Sequence, residues 1–407
     1  MALKPGDAAE LIVEKPAAGG EMLARLDGQI VLVGGAVPGE RVRVRVERVA
    51  KHVAHARVVD IVDASPDRRD PVADPLCGGC LYSHIAYSRQ LAIKGAVIAD
   101  AFARIAKVPL TAPPMVVPSR EDGYRMRARL HVRGSRAGFF RESTHEVCDP
   151  RQTRQLLPDT CDAIDRLMAA AISTGVAPNL RSIELSENID AAERVVHLEA
   201  AVPVDPRTTN ALVATGGFAA GPHVTDRLLI DGRGISMRRH VLAFFQGNRY
   251  LVGDLVAHVI SQLPEGGTAI DLYAGAGLFA VAAATVRASS VTAVEGERYA
   301  ADDLHANAAA AGDRIHPLRA RVETFVERMP RVDAIIVDPP RTGMTPQALS
   351  GVLRAKPGQL VYVSCDVATL ARDARSIVDS GYEITGMRAF DLFPNTPHVE
   401  TVVVFRA

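Results

Sequence analysis

The sequence predicts a chain of three parts. These are a small N-terminal β-barrel, a central α+β domain and a C-terminal α/β domain with a doubly wound, mostly parallel sheet. Three observations carry this expectation. Short alternating strands punctuated by glycine turns fill residues 1–62. The segment Ala64-Ser65-Pro66-Asp67-Arg68-Arg69-Asp70-Pro71 is polar and proline-bearing, as inter-domain connections are. From about residue 245, apolar strand runs alternate with helical stretches, the pattern of a parallel sheet with helices on its faces. The expected divisions are 1–62, 63–240 and 241–407.

The chain has 407 residues, enough for two or three domains, and its 48% apolar and 23% charged residues are those of a soluble globular protein. Its net charge is zero, so overall charge does not announce a polyanionic partner. The start, Met1-Ala2-Leu3-Lys4-Pro5-Gly6-Asp7, lacks a basic-then-apolar leader pattern, and no uncharged apolar run has membrane-spanning length. Five cysteines do not make a secreted disulfide framework. A cytoplasmic protein with no membrane contact and no obligate protein partner is expected.

In the first part, Arg41-Val42-Arg43-Val44-Arg45-Val46 alternates strictly, placing arginine on one face of a strand and valine on the other. In the second part, residues 84–107 have helical apolar spacing, a helix is expected over 159–173, and the rest of 113–240 reads as strands and loops. Arg120, Arg125, Arg127, Arg129, Arg133, Arg136 and Arg141 stand there against only Glu121 and Asp122 within 120–141. Such a cluster, with the Arg41, Arg43, Arg45 face, either neutralises nucleic-acid phosphates or forms ordinary solvated strand faces. In the third part, strands are expected at 268–272, 290–294, 333–337 and 359–363, with an antiparallel edge from 382–389 and 401–405.

The chemistry concentrates in the third part. Asp271-Leu272-Tyr273-Ala274-Gly275-Ala276-Gly277 is a glycine-rich strand-to-helix turn that lets a ligand approach backbone closely. Glu295 ends the next strand, where a carboxylate accepts hydrogen bonds from ribose hydroxyls. Dinucleotide-binding proteins use nearly the same loop, so the loop alone does not choose the ligand. Asp271 repels a pyrophosphate and suits a cofactor carrying an amino group and a sulfonium. Cys365, in Ser364-Cys365-Asp366, closes an apolar strand, and Glu400 stands just before the last one. A thiolate, a methyl donor and a base are what methylation of a pyrimidine carbon requires. The thiolate adds to carbon 6, carbon 5 then attacks the methyl sulfonium, and the base removes the carbon-5 proton. Read singly, Cys365 is a buried small hydrophobe and Glu400 an exposed acid; their company argues otherwise.

Phe244-Phe245-Gln246-Gly247-Asn248, the 271–277 loop, Asp338-Pro339-Pro340-Arg341, Ser364-Cys365-Asp366 and the 393–400 stretch follow one another in this order. With them, nearly the whole chain resembles the S-adenosylmethionine-dependent RNA uracil-5 methyltransferases of 23S rRNA and tRNA. The resemblance implies a class I methyltransferase domain, an OB-like RNA-binding barrel of the TRAM type at 1–62, and RNA as the partner. It implies Cys365 as nucleophile and Glu400 as proton acceptor. It also implies S-adenosylmethionine bound by Gln246, Tyr273, Gly275, Gly277, Glu295 and Asp338. Leu278 departs from members that carry asparagine there.

Cys77-Gly78-Gly79-Cys80 with Cys148 resembles the [4Fe-4S] cluster motif of the 23S rRNA branch, which favours 23S rRNA over tRNA as the substrate. A four-thiolate site needs one more ligand. None stands in residues 70–76, so Cys161, a non-cysteine ligand or a metal-free relic remain open, as does zinc on the C-x-x-C pair. Rival readings are a nicotinamide-dependent oxidoreductase, an amino-group methyltransferase using Asp338-Pro339-Pro340, and a non-catalytic RNA-binding protein of the same fold.

Overall fold

The computed structural model describes residues 3–407. Five strands, β1 (Ala8–Pro16), β2 (Met22–Leu26), β3 (Gln29–Gly34), β4 (Arg41–Ala50) and β5 (Val53–Asp63), close into a barrel in the order β1-β2-β3-β5-β4. The alternation of β4 is realised as read: Val42, Val44 and Val46 are buried inside, while Arg41, Arg43 and Arg45 face out. That outer face is largely neutralised. Arg41 pairs with Asp63 and Glu10, and Arg43 with Glu10 and Asp60. Among the described residues, Arg45 has no carboxylate partner.

Next come α1 (Tyr87–Ala101), which runs on into a π-helical turn at Phe102–Ala106, and the short strand β6 (Val116–Val117). The central sheet contains β7 (Arg127–Arg133), β8 (Arg136–Phe140), β9 (Val147–Cys148), β10 (Leu180–Glu187) and β11 (Arg194–Ala200), in the order β11-β10-β7-β8-β9. It is covered by α2 (Pro158–Ser173) and α3 (Pro206–Gly216). α3 lies in a stretch whose sequence reads as strands and loops. Only Leu212 and Gly216 of it are buried, so it carries almost no apolar period. Its ends are set by polar chemistry instead: Asp205 caps the start through Thr208 N, Pro206 opens it, and Gly217 ends it at φ 80°.

A hairpin of β12 (His223–Ile230) and β13 (Arg233–His240) follows. Its buried Leu228, Ile230, Ile235 and Met237 join the core of the C-terminal layer, against α4 (Val252–Ser261). The C-terminal layer then alternates: β14 (Thr268–Leu272), α5 (Leu278–Val286), β15 (Ser290–Glu295), α6 (Arg298–Ala311), β16 (Ile315–Arg319), α7 (Val322–Phe325), β17 (Ala334–Val337), α8 (Pro346–Ala355), β18 (Gln359–Ser364), α9 (Val367–Asp379), β19 (Glu383–Phe390) and β20 (Glu400–Arg406). The eight-stranded sheet has the order β16-β15-β14-β17-β18-β20-β19-β6. β14 to β18 are mutually parallel, whereas β20 runs antiparallel to β18. The central strands β17 and β18 are buried along their whole length, as strands covered on both faces must be.

This topology positions a site. Strand order reverses between β14 and β17, and ligands bind in the crevice outside the carboxyl ends of strands at such a switch point. Because β20 is antiparallel, its first residue lies at the carboxyl end of β18: Thr401 is in register with Ser364. Among the described residues, no helix is long and apolar enough to cross a membrane.

Candidate active site

A cavity of about 610 Å³ opens at the switch point. It is lined by Gln246, Tyr273, Gly275, Glu295, Asp338, Cys365 and Glu400, seven of the eight residues singled out for catalysis and methyl-donor binding. Gly277 is not in the lining. It starts α5 at φ 90°, and a Cβ there would meet Leu304 Cδ1 at 2.7 Å, so its role is the tight turn and the packing of α6. Asp271 is also absent from the wall. Its Oδ2 accepts from Ala280 N at 3.1 Å in the first turn of α5. Burial and the nearby Asp338 push its carboxyl well above the usual range.

The loops are held by carboxylates. Glu295 ends β15 and accepts from Gly275 N at 2.8 Å and Glu297 N at 2.6 Å. Tyr273 stands at φ 62°, a backbone conformation a non-glycine residue adopts only when its surroundings impose it. Gln246 Nε2 donates to Asp338 Oδ2 at 3.1 Å. Burial raises the Asp338 carboxyl to about 7 against that bond, leaving an acid poised between its two forms near neutrality.

Cys365 follows β18, and the Asp366 side chain caps α9 by accepting from Thr369 N at 2.8 Å. The strand-to-helix turn therefore holds the thiol at the cavity wall. Burial, and then the Glu400 carboxylate, push the thiol up to about 12, while the Arg341 guanidinium pulls the other way. Glu400 is 2% exposed, and its Oε1 has no hydrogen-bond partner. Burial, and then Asp338, raise its carboxyl well above the usual range. Glu400 is thus a buried carboxyl with an unpartnered oxygen, lining the same cavity as Cys365.

Sequence reasoning missed how Glu400 is held. The chain from Phe393 to Glu400 is anchored on α1. Lys94 Nζ donates to Phe393 O at 3.0 Å and pairs with Asp391, both side chains being fully buried. Gln90 Nε2 donates to Asn395 Oδ1 at 2.9 Å, and Asn395 N donates back to Gln90 Oε1 at 2.9 Å. Also unassigned from sequence was the aromatic at the mouth, Phe244, which is 61% exposed and lines the cavity with Arg125 and Arg127. Its apolar exposure beside Gln246 is a signal only the structure reveals.

The cysteine motif requires a correction. Cys77, Cys80 and Cys148 do cluster, but Cys77 and Cys148 form a disulfide across 71 residues of sequence, so neither offers a thiolate. Cys80 remains a buried thiol, pushed up to about 12 by burial, and Cys161 packs in the separate core under α2. Among the described residues, no group of three or more His, Cys, Asp or Glu is placed to hold a metal ion. These residues do not fit a [4Fe-4S] cluster or zinc, and no step is routed through either.

The doubly wound sheet, the switch-point cavity and its acid-held glycine loop together define a class I methyltransferase. A family model described as tRNA (Uracil-5-)-methyltransferase matches residues 220–407, and a TRAM domain model matches residues 3–59. An uncharacterized RNA methyltransferase of Streptomyces avermitilis is 32% identical over 98% of each chain. One of Corynebacterium glutamicum is 30% identical over 99% of this chain and 98% of the relative. The 23S rRNA (uracil(1939)-C(5))-methyltransferase RlmD of Pseudomonas putida is 29% identical over 99% of this chain and 94% of the relative. Among solved structures, the Pyrococcus abyssi tRNA (uracil-54, C5)-methyltransferase in complex with S-adenosyl-L-homocysteine superposes with a TM-score of 0.76 at 27% identity, covering 97% of this chain and 99% of that one. The chain belongs to the family of S-adenosylmethionine-dependent RNA uracil-5 methyltransferases.

Proposed function

We propose that this enzyme methylates carbon 5 of a uridine in 23S rRNA through a covalent Cys365 adduct, with Glu400 as the proton acceptor. The observation that carries this reading is the register of β18 with the antiparallel β20, which sets Cys365 and Glu400 side by side on one cavity wall. Gln246, Tyr273, Gly275, Glu295 and Asp338 would hold S-adenosylmethionine, which would supply an electrophilic methyl group. Cys365 gives up its proton to solvent and forms a bond from Sγ to carbon 6, placing the charge on the carbon-4 oxygen as an enolate. Carbon 5 then takes the methyl group, and the methyl–sulfur bond breaks with its electron pair left on sulfur as a neutral thioether. Glu400, having released its proton to solvent when the cationic methyl donor bound, accepts the carbon-5 proton; the Sγ–carbon 6 bond breaks and the ring double bond re-forms.

The Pseudomonas relative acts on 23S rRNA and spans nearly the whole chain. tRNA is the second reading, favoured by the Pyrococcus structure. Either RNA places the activity in the cytoplasm. Deleting the gene and mapping 5-methyluridine decides between them. Loss of one 23S rRNA methyluridine, restored by the purified enzyme with tritiated S-adenosylmethionine, is the expected result; loss confined to tRNA contradicts the rRNA assignment.

A further inference from the structure

A second cleft, also about 610 Å³, lies beside the candidate active site. Its floor is apolar, formed by Val72, Leu156, Leu157, Pro158 and Cys161. The part-exposed ring of Tyr250 lines it, with the Arg120 guanidinium 4.9 Å above the ring centroid. The other guanidiniums of the lining are engaged: Arg154 pairs with Asp122, and Arg151 with Asp162 and Asp165. Arg120 is exposed and has no carboxylate partner among the described residues. Of the three arginines in the lining, Arg120 is therefore the one whose charge no carboxylate neutralises among the described residues.

The cleft is coupled to the first site by covalent and polar links. Gln246, in the first cavity, and Tyr250, in the second, are four residues apart, so their Cα atoms are within about 14 Å. Glu121, on the cleft wall, accepts from Arg69 Nη1 at 3.1 Å, and Arg69 Nη2 donates to Asn395 Oδ1 at 2.9 Å in the segment that leads to Glu400.

We infer that this cleft is a nucleotide subsite for the single-stranded RNA flanking the target uridine. An unstacked base lies on the Tyr250 ring over the apolar floor, displacing the Arg120 guanidinium, which takes its phosphate. Aromatic rings and arginine planes are what unstacked bases use, and an unpaired guanidinium at the rim is what a phosphate uses. The inference rests on the RNA methyltransferase reading above and adds where the strand is gripped beyond the reacting base.

The test measures transfer of tritiated methyl from S-adenosylmethionine to rRNA isolated from the deletion strain, for wild type, Tyr250→Leu, Tyr250→Phe and Arg120→Gln. Loss of one stacked base raises the RNA KM of Tyr250→Leu by about tenfold, while Tyr250→Phe stays near wild type. Arg120→Gln raises the RNA KM and flattens its salt dependence by roughly 0.7 in logarithmic slope. Binding of S-adenosylmethionine, read by calorimetry, is unchanged in all three. If Tyr250→Leu loses that binding through misfolding, the exposed Arg120→Gln decides. Wild-type KM and salt slope in Arg120→Gln and in folded Tyr250→Leu overturn the subsite and leave the cleft to a protein partner. If wild type itself transfers no methyl to rRNA or tRNA, the parent reading fails and the subsite falls with it.

Discussion

At the scale of single residues, the cavity concentrates acids that resist ionisation. Asp271, Asp338 and Glu400 are buried and raised, and Cys365 is raised with them. A cationic sulfonium favours the charged form of each acid, so its binding should expel protons. Asp338 gives the pH window. Its carboxyl, near 7 in the free protein, is protonated below that pH and must ionise to face the cation. Affinity for S-adenosylmethionine should therefore rise with pH from 5.5 to about 7, by up to about tenfold per pH unit, and then flatten. S-adenosyl-L-homocysteine, a neutral thioether, should show a shallower rise. Calorimetry in buffers of different ionisation enthalpy reads the proton release; equal pH slopes for the two ligands contradict the account. For stability the sign reverses. A carboxyl raised in the fold ionises in the unfolded chain first, so its contribution is present below the ordinary carboxylate range and is lost as pH climbs through 7. Cys365 and Glu400 stood out in the sequence through their company, the glycine-rich loop and the ordered motifs around them, and not through the apolar runs beside them. The true partners of Asp271 and Gly277 were not legible, since a strand–loop–helix pattern does not reveal which side chains face inward.

At the scale of elements, α1 emerges as the support of the segment that carries Glu400. Nothing local announced it: Lys94 and Asp391 are 297 residues apart, and Gln90 and Asn395 are 305 apart. Periodicity revealed the helix but not what it grips. Lys94→Met leaves the buried Asp391 carboxylate without its ion-pair partner, and should destabilise the protein by about 3–5 kcal/mol in thermal melts. Gln90→Ala removes both bonds to Asn395. It should lower kcat by roughly 10- to 100-fold through misplacement of Glu400, with S-adenosylmethionine affinity unchanged. An unaltered kcat would detach α1 from catalysis. The cysteine motif teaches the same point. Three cysteines in family-like order do cluster, yet whether they hold metal or bond to one another depends on tertiary placement and on the missing fourth ligand. Iron and zinc should be absent from anaerobically purified protein. Thiol alkylation before and after reduction should release two additional thiols, assigned by mass spectrometry to Cys77 and Cys148.

At the scale of the whole molecule, the architecture was readable because each layer writes its own period: alternation in the barrel, strand and helix in turn in the C-terminal sheet. The RNA-binding surface was less readable, because residue counts do not show which charges are already paired. Arg41, Arg43, Arg129 and Arg141 are tied to carboxylates, whereas Arg45 and Arg136 have none among the described residues. Replacing Arg45 and Arg136 with glutamine should flatten the salt dependence of RNA binding by up to roughly 0.7 in logarithmic slope for each phosphate no longer neutralised, and replacing Arg41 and Arg43 should change it little. The central claim is that α1 and the switch-point sheet together present Cys365 and Glu400 to one uracil. It is tested most directly on a denaturing gel, with radiolabelled substrate RNA and S-adenosylmethionine. Glu400→Gln should accumulate methylated RNA bound covalently to protein, because addition and transfer proceed while elimination stops, and Cys365→Ala should give neither adduct nor product. Normal turnover by Cys365→Ala, or an adduct that persists without that thiol, would contradict the account.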